Sequence, residues 1–285
     1  DVCSSDLVYP TYCVHNQKSP MIPVTVNLKD MSAGSTYQVS VKEGHVTIDG
    51  SGADISFNQA VTDFSGICLV NTENTVNMII QNITCDISGS NNTIDSGWIC
   101  AGGMTSSSGS VVTVSGCSLT SAVDINISGC GIVGGLNGSN GNTFGHLNIN
   151  DCYVSCSGDM VVHTGILGGS NGWVNGSAGN ITVTNCHLSS KGTLNLSGSG
   201  IVDAKNGAGG HVSDIKVSGC YLYSSGEMNF FLDLFYDNTD SYVPRTYGVI
   251  GGGNGANGIC GNIVVTDLNI LCDSAIKFEI GRAHV

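Results

Sequence analysis

The densest group of side chains able to do chemistry lies between Glu227 and Tyr247. Phe230, Phe231, Phe235, Tyr236, Tyr242 and Tyr247 sit there among Asp233, Asp237 and Asp240. Aromatic rings offer flat apolar faces to sugar rings, and a pair of carboxylates is what glycoside hydrolysis requires. Phe230, Phe231, Asp233, Phe235, Tyr236 and Asp237 are therefore the candidate carbohydrate-binding residues. The plainer reading makes this stretch a lid whose rings pack onto the rest of the molecule, because so apolar a loop seldom stays exposed. No catalytic residue is assigned, since no general base stands out.

Cysteine gives a second candidate. Cys117, Cys152, Cys186 and Cys220 are 35, 34 and 34 residues apart. Zinc sites draw ligands from close pairs such as Cys-x₂₋₄-Cys, not from thiols a whole structural unit apart. Ile83 and Leu268 fill the same repeat position, so the slot takes small hydrophobes and the expectation is core packing, with no metal and no cofactor. Cys156 and Cys272 share a second position with Ser121, Ser190 and Ser224. Asn137, Asn171, Asn206 and Asn254, each followed by glycine, form a third series. Catalytic amides are conceivable there, but stacked amides that bond to one another beside a tight Asn-Gly turn are the stronger reading.

These series require a repeating scaffold. The phrase Gly131-Ile-Val-Gly-Gly-Leu-Asn-Gly138 returns at Gly165, Gly200 and Gly248, and a decayed copy opens at Gly97. The leading glycines are 34, 34, 35 and 48 residues apart, a solenoid period. The phrase is no phosphate loop, because it recurs and no helix pattern follows it. Between phrases the chain reads apolar-x-apolar-x-x-apolar-x-apolar, as in Val112-Thr-Val114 with Cys117-Ser-Leu119. That is two short strands of period 2 with one extra residue between them. The residue before each second strand is Asn82, Gly116, Asp151, Asn185, Gly219 or Asp267. All belong to the types that tolerate left-handed backbone, and such a residue turns a corner while keeping both apolar faces inward.

The expected fold is all-β: a right-handed parallel β-helix of five to six coils of about 34 residues, with an N-terminal cap. Residues 8–44 do not match the repeat and hold three of the four prolines, which suits a cap over an open solenoid end. Coils occupy 45–278, and the longer fourth interval places an insertion at 227–245. Residues 1–7 and 279–285 stand apart, because every outside-in pair can be written as a codon and its reverse complement. Both heptapeptides resemble the translation of a short-read sequencing adapter, so they are read as scars and set aside.

Composition agrees. The chain carries a net charge of −13, and setting aside Asp1, Asp6, Glu279 and Arg282 leaves −11. Nucleic acid is thereby disfavoured as a partner, since its binding rests on Lys and Arg against phosphate. No apolar run approaches the roughly 18 residues of a membrane helix. The 13 cysteines show no spacing that fixes a redox compartment.

The glycine phrase, followed by a strand that ends in Asn-Cys or Asp-Cys, resembles the GLUG-motif repeats of bacterial surface and adhesin-like proteins. The resemblance covers about residues 78–275, and the copy with Asp203-Ala204 in place of Gly-Gly departs from it. It implies a structural, adhesive module at the cell surface or outside the cell, with surface glycans or another protein as partners. The alternative function is a carbohydrate-active enzyme similar in architecture alone to pectate lyases or tailspikes and acting through the insertion. Acids such as Asp203 and Asp233 share no repeat position, which counts against that alternative.

Overall fold

The computed structural model describes residues 11–14, 24–27, 38–53, 55–57, 66–87, 97–100, 102–127, 132–163, 165–196, 199–203, 205–232, 234–237, 241–244, 248–251 and 253–280. Strands and turns account for all regular structure among them, and they stack as a parallel β-solenoid. From Val111 onward successive coils pass through the same walls in the same order. The first wall is a sheet of eight parallel strands: Val24–Asn27, Gly44–Asp49, Val76–Gln81, Val111–Ser115, His146–Asn150, Ile181–Thr184, Ile215–Ser218 and Ile263–Thr266. At the usual spacing of about 4.8 Å it rises roughly 34 Å. The second wall has seven strands, from Ile55–Phe57 to Asn269–Cys272, and the third has five, from Ile125–Ile127 to Ile276–Ile280.

The glycine phrases form the remaining side. Thr11–Val14, Gln38–Val41 and Cys68–Val70 pair in parallel, and single bridges carry the ladder through Cys100, Val133 and Leu167 to Val202. Parallel stacking thus reaches back into the segment expected as a cap, where Val24 pairs with Val46 and Thr11 with Gln38. Four two-residue strands, Thr143–Phe144, Ser177–Ala178, His211–Val212 and Ile259–Cys260, make a narrow extra column just before the first wall.

Register follows the 34-residue period: Leu147 lies opposite Val112 and Ile181, and Val154 opposite Leu119 and Leu188. Because side chains alternate across a strand, constant register puts every apolar pair inside. Val112, Val114, Ile149, Val183, Ile215 and Val217 are fully buried, as are Ile132, Ile166 and Ile201 from the phrases. Burying such a side chain contributes about 1.5–3 kcal/mol.

The corners explain why the walls meet cleanly. Asn82, Gly116, Asp151, Asn185, Gly219 and Asp267 all have positive φ, between 51° and 63°. Asn82, Gly116, Asp151, Asn185 and Gly219 donate their N–H to a carbonyl one coil on, for example Asn185 to Ser218 at 2.9 Å. The bend therefore leaves these five donors paired.

Candidate functional site

The asparagine series is a continuous hydrogen-bonded column. Asn137 Nδ2 donates to Asn171 Oδ1 at 2.8 Å, Asn171 Nδ2 to Asn206 Oδ1 at 2.6 Å, and Asn206 Nδ2 to Asn254 Oδ1 at 3.0 Å. Each amide also donates to the carbonyl three residues back, as Asn171 does to Gly168 at 2.8 Å. The column begins where Asn137 Oδ1 accepts the Met104 N–H at 3.2 Å. Asn137, Asn171 and Asn206 are buried. Their turn is tight: Leu136, Ser170, Lys205 and Gly253, one residue earlier, have positive φ, as do Gly138, Gly172, Gly207 and Gly255, one residue later. A Cβ on Gly138 or Gly172 would also lie 2.0 Å from a carbonyl oxygen of the next coil. These positions admit glycine alone, for space as well as for backbone conformation.

The thiols are inside as well. Cys117, Cys152, Cys186 and Cys220 are fully buried, and each Sγ lies 3.3–3.5 Å from the carbonyl two residues back. Hydrogen bonds to neighbouring thiols, Cys152 first, and then burial push Cys117 and Cys186 well above the ordinary thiol range. Burial does the same to Cys68, Cys85 and Cys100. The same thiol–thiol hydrogen bonds pull Cys152 and Cys220 down, so it is complete burial, which denies reagents access to all four thiols of the series, that marks the column as structural.

The Ser/Cys series has a different role from simple space-filling. Ser190 Oγ donates to Gly158 O at 2.7 Å and Ser224 Oγ to Gly192 O at 2.8 Å. Cys156 Sγ takes Val123 O at 2.9 Å, and Cys272 Sγ takes Gly226 O at 3.0 Å. Serine and cysteine interchange because the slot asks for a small X–H donor aimed at a loop carbonyl.

Carboxylates on neighbouring coils are also occupied. Asp124 Oδ1 accepts the Asp159 N–H at 2.8 Å, and Asp159 Oδ1 accepts the Thr193 N–H at 2.7 Å. Asp214 Oδ1 accepts the Asn262 N–H at 2.8 Å, while the Asp214 N–H donates to Asn180 Oδ1 at 3.2 Å. Among the described residues no group of three or more His, Cys, Asp or Glu side chains converges as a metal site would. Nor is there a helix long and apolar enough to cross a membrane.

The candidate sugar-binding residues separate. Phe230 belongs to the third wall, opposite Leu196 and Phe278; it is buried, and its ring stacks on Phe278 at 5.0 Å with 15° between planes. Phe231 is on the same strand, Met228–Leu232, and is half-buried. Asp233 lies outside the described residues. Phe235, Tyr236 and Asp237 belong to the strand Leu234–Asp237, which pairs antiparallel with Ser241–Pro244 to make a hairpin; their side chains are outside the described ones. Met228–Leu232 is therefore part of the third wall, and the hairpin follows it. Asn229, mid-strand, donates to Asn195 Oδ1 at 2.8 Å, and its own buried Oδ1 has no partner.

An aromatic stripe on the outer face of the second wall was missed. Tyr153, His187 and Tyr221 are register partners on successive coils, with ring centroids 4.9 and 5.5 Å apart, and Tyr223 lies beside the row on the same strand as Tyr221, 6.1 Å from its ring. Tyr223 Oη donates to Asp273 Oδ2 at 2.5 Å, and this bond to a carboxylate raises its pKa. The signal was present: 153, 187 and 221 are 34 apart at outward positions, but histidine among tyrosines does not read as a repeat.

Comparison with protein-family models, with curated proteins and with solved structures finds no match to this chain.

Proposed function

We propose that this solenoid is a structural and adhesive module of a surface or extracellular protein, and that it contacts glycans through the second wall. The observation that carries the reading is the stripe Tyr153–His187–Tyr221, held at constant register on a parallel wall, with Tyr223 beside Tyr221 on the same strand. A row of rings with a fixed rise offers successive sugar units of one polysaccharide chain the same apolar contact, and the strands cannot rearrange without breaking the ladder. Its support is reinforced by the use of the interior amides, thiols and several outer carboxylates as coil-to-coil hydrogen-bonding groups. A net charge of −13 favours neutral over polyanionic glycans.

The test is affinity electrophoresis through gels cast with neutral polysaccharides, comparing the chain with the double variant Tyr153→Ala/Tyr221→Ala. Retardation by at least one polysaccharide, lost in the variant, is expected. Retardation by none removes the glycan-contact reading. Polysaccharide breakdown that disappears in Asp233→Asn/Asp237→Asn would replace it with the enzymatic alternative.

A further inference from the structure

A second polar ladder runs along the flank where the narrow column meets the first wall. His146, Asn180, Asp214 and Asn262 stand one residue before the register partners Leu147, Ile181, Ile215 and Ile263. Each of the first three accepts the backbone N–H of its neighbour one coil on. His146 Nδ1 takes that of Asn180 at 3.0 Å, Asn180 Oδ1 that of Asp214 at 3.2 Å, and Asp214 Oδ1 that of Asn262 at 2.8 Å. These bonds leave Asn180 Nδ2 as a donor and Asp214 Oδ2 as an acceptor, on coils about 4.8 Å apart. Glycine keeps the bend narrow, since a Cβ on Gly261 would lie 2.6 Å from Asp214 Oδ1.

Asn180, Asp214 and Asn262 line a groove of about 480 Å³ together with Thr182, Lys216 and Val264. That volume is within the range of about 300–1,000 Å³ usual for small-molecule sites. Ile181, Val183, Ile215 and Val217 are buried, so alternation turns Thr182 and Lys216 outward into the groove. Asn180 and Asp214 each have a coil on either side and are still exposed, so the groove belongs to the flank of the solenoid. Its polar groups are a donor amide, an acceptor carboxylate, a hydroxyl and an ammonium. Asp214 and Lys216 cancel in formal charge, which disfavours a charged ligand. A hydroxyl both donates and accepts, so two adjacent hydroxyls of one sugar ring satisfy Asp214 Oδ2 and Asn180 Nδ2 together. Val264 and the stem of Lys216 offer apolar contact to the C–H face of that ring.

We propose that this groove is a second carbohydrate subsite, built for a neutral sugar unit with adjacent free hydroxyls. It is separate from the aromatic stripe, and either can fail without the other. Thr182 and His187 are five residues apart, a span of at most about 17 Å. The groove and the ring row therefore lie on adjoining flanks, placed to hold two stretches of one polysaccharide.

The experiment titrates the isotope-labelled 285-residue chain with methyl glucoside, methyl galactoside and methyl mannoside, and with methyl glucuronide as a charged counterpart. NMR follows the backbone amides of 180–182 and 214–216 and those of the stripe. The expected result is saturable shifts in the groove with at least one neutral glycoside. Asp214→Asn keeps Oδ1 for the Asn262 N–H but turns the other oxygen into a donor, and should weaken binding about tenfold or more. Thr182→Val keeps the side-chain volume, removes the hydroxyl and should weaken it too. Tyr153→Ala/Tyr221→Ala should leave groove binding unchanged. Three outcomes overturn the proposal. The first is that no neutral glycoside moves the groove amides. The second is that Asp214→Asn and Thr182→Val, with the rest of their spectra unchanged, bind as the parent does. The third is that the glucuronide binds more tightly than the neutral glycosides. Shifts at the stripe alone would strike the subsite and leave the glycan contact of the second wall standing.

Discussion

Replacing Asn171 with alanine removes three buried hydrogen bonds at once. Asn171 donates to Gly168 O at 2.8 Å and to Asn206 Oδ1 at 2.6 Å, and accepts from Asn137 Nδ2 at 2.8 Å. The variant leaves the Asn137 amide hydrogen, the Asn206 oxygen and the Gly168 carbonyl without these partners. An unsatisfied buried group costs about 1–3 kcal/mol, and partial relaxation or an admitted water lowers the sum, so the expected loss is about 3–5 kcal/mol. Asn254→Ala is the internal reference, because Asn254 is half-exposed and water replaces its partners; about 1 kcal/mol is expected there. Asn171→Asp keeps the acceptor but turns both donations into oxygen–oxygen repulsions. It should cost at least as much as alanine at neutral pH and less in acid, as the carboxyl protonates. Guanidinium unfolding followed by far-UV circular dichroism and by fluorescence of buried Trp98 gives the free energies. Because coils couple mainly to their neighbours, exchange at the Asn137 and Asn206 turns shows whether the loss is local. A loss below about 1 kcal/mol for Asn171→Ala, or one equal to that of Asn254→Ala, would refute the view that the column is a coupled buried network.

Asp151 turns a corner at φ 52°, so Asp151→Val should destabilise by about 1–2 kcal/mol while Asp151→Gly stays within roughly 0.5 kcal/mol, read from the same unfolding curves. Cys156→Ser keeps the donor to Val123 O and should be close to neutral, whereas Cys156→Val orphans that carbonyl and should cost about 1–3 kcal/mol; equal effects would return the slot to simple packing. Asp49 is held down from 3.8 to about 2, first by the Ser51 side chain and then by the Ser51 N–H, with Asn82 and Gln81 adding to it. A depressed carboxylate stabilises fully above its unfolded pKa and loses that contribution as pH falls through the folded one, so stability should decline between about pH 4 and pH 2. Asp49→Asn should flatten that part of the profile, and an NMR titration of Asp49 near 3.8 would contradict the assignment.

Much of the scaffold was legible because a solenoid repeats its local chemistry. The corner column could be named from Asn82, Gly116, Asp151, Asn185, Gly219 and Asp267 because few residue types accept left-handed backbone, and six in register leave little else for the position to mean. Leu136, Ser170 and Lys205 adopt the same backbone region and gave no such sign, since nothing in a leucine or a lysine announces it. The narrow column of two-residue strands was equally invisible, being too short for any alternation to register. In the site, sequence grouped Phe230 with the insertion because its neighbours are aromatic. Pairing with Leu196 and Phe278 makes it part of the third wall, and only the neighbouring coils could decide that.

The sequence by itself determined the period, the inward positions and the corners, because each is a property of one coil read over and over. Tertiary structure decided what the polar residues do. Asp124 and Asp159 accept N–H groups about 34 residues away, Cys156 reaches a carbonyl 33 residues back, and Tyr153, His187 and Tyr221 become one surface only when coils stack. Hydrogen bonds and ring contacts act over a few ångströms, and here the groups that close those distances are a full coil apart in the chain.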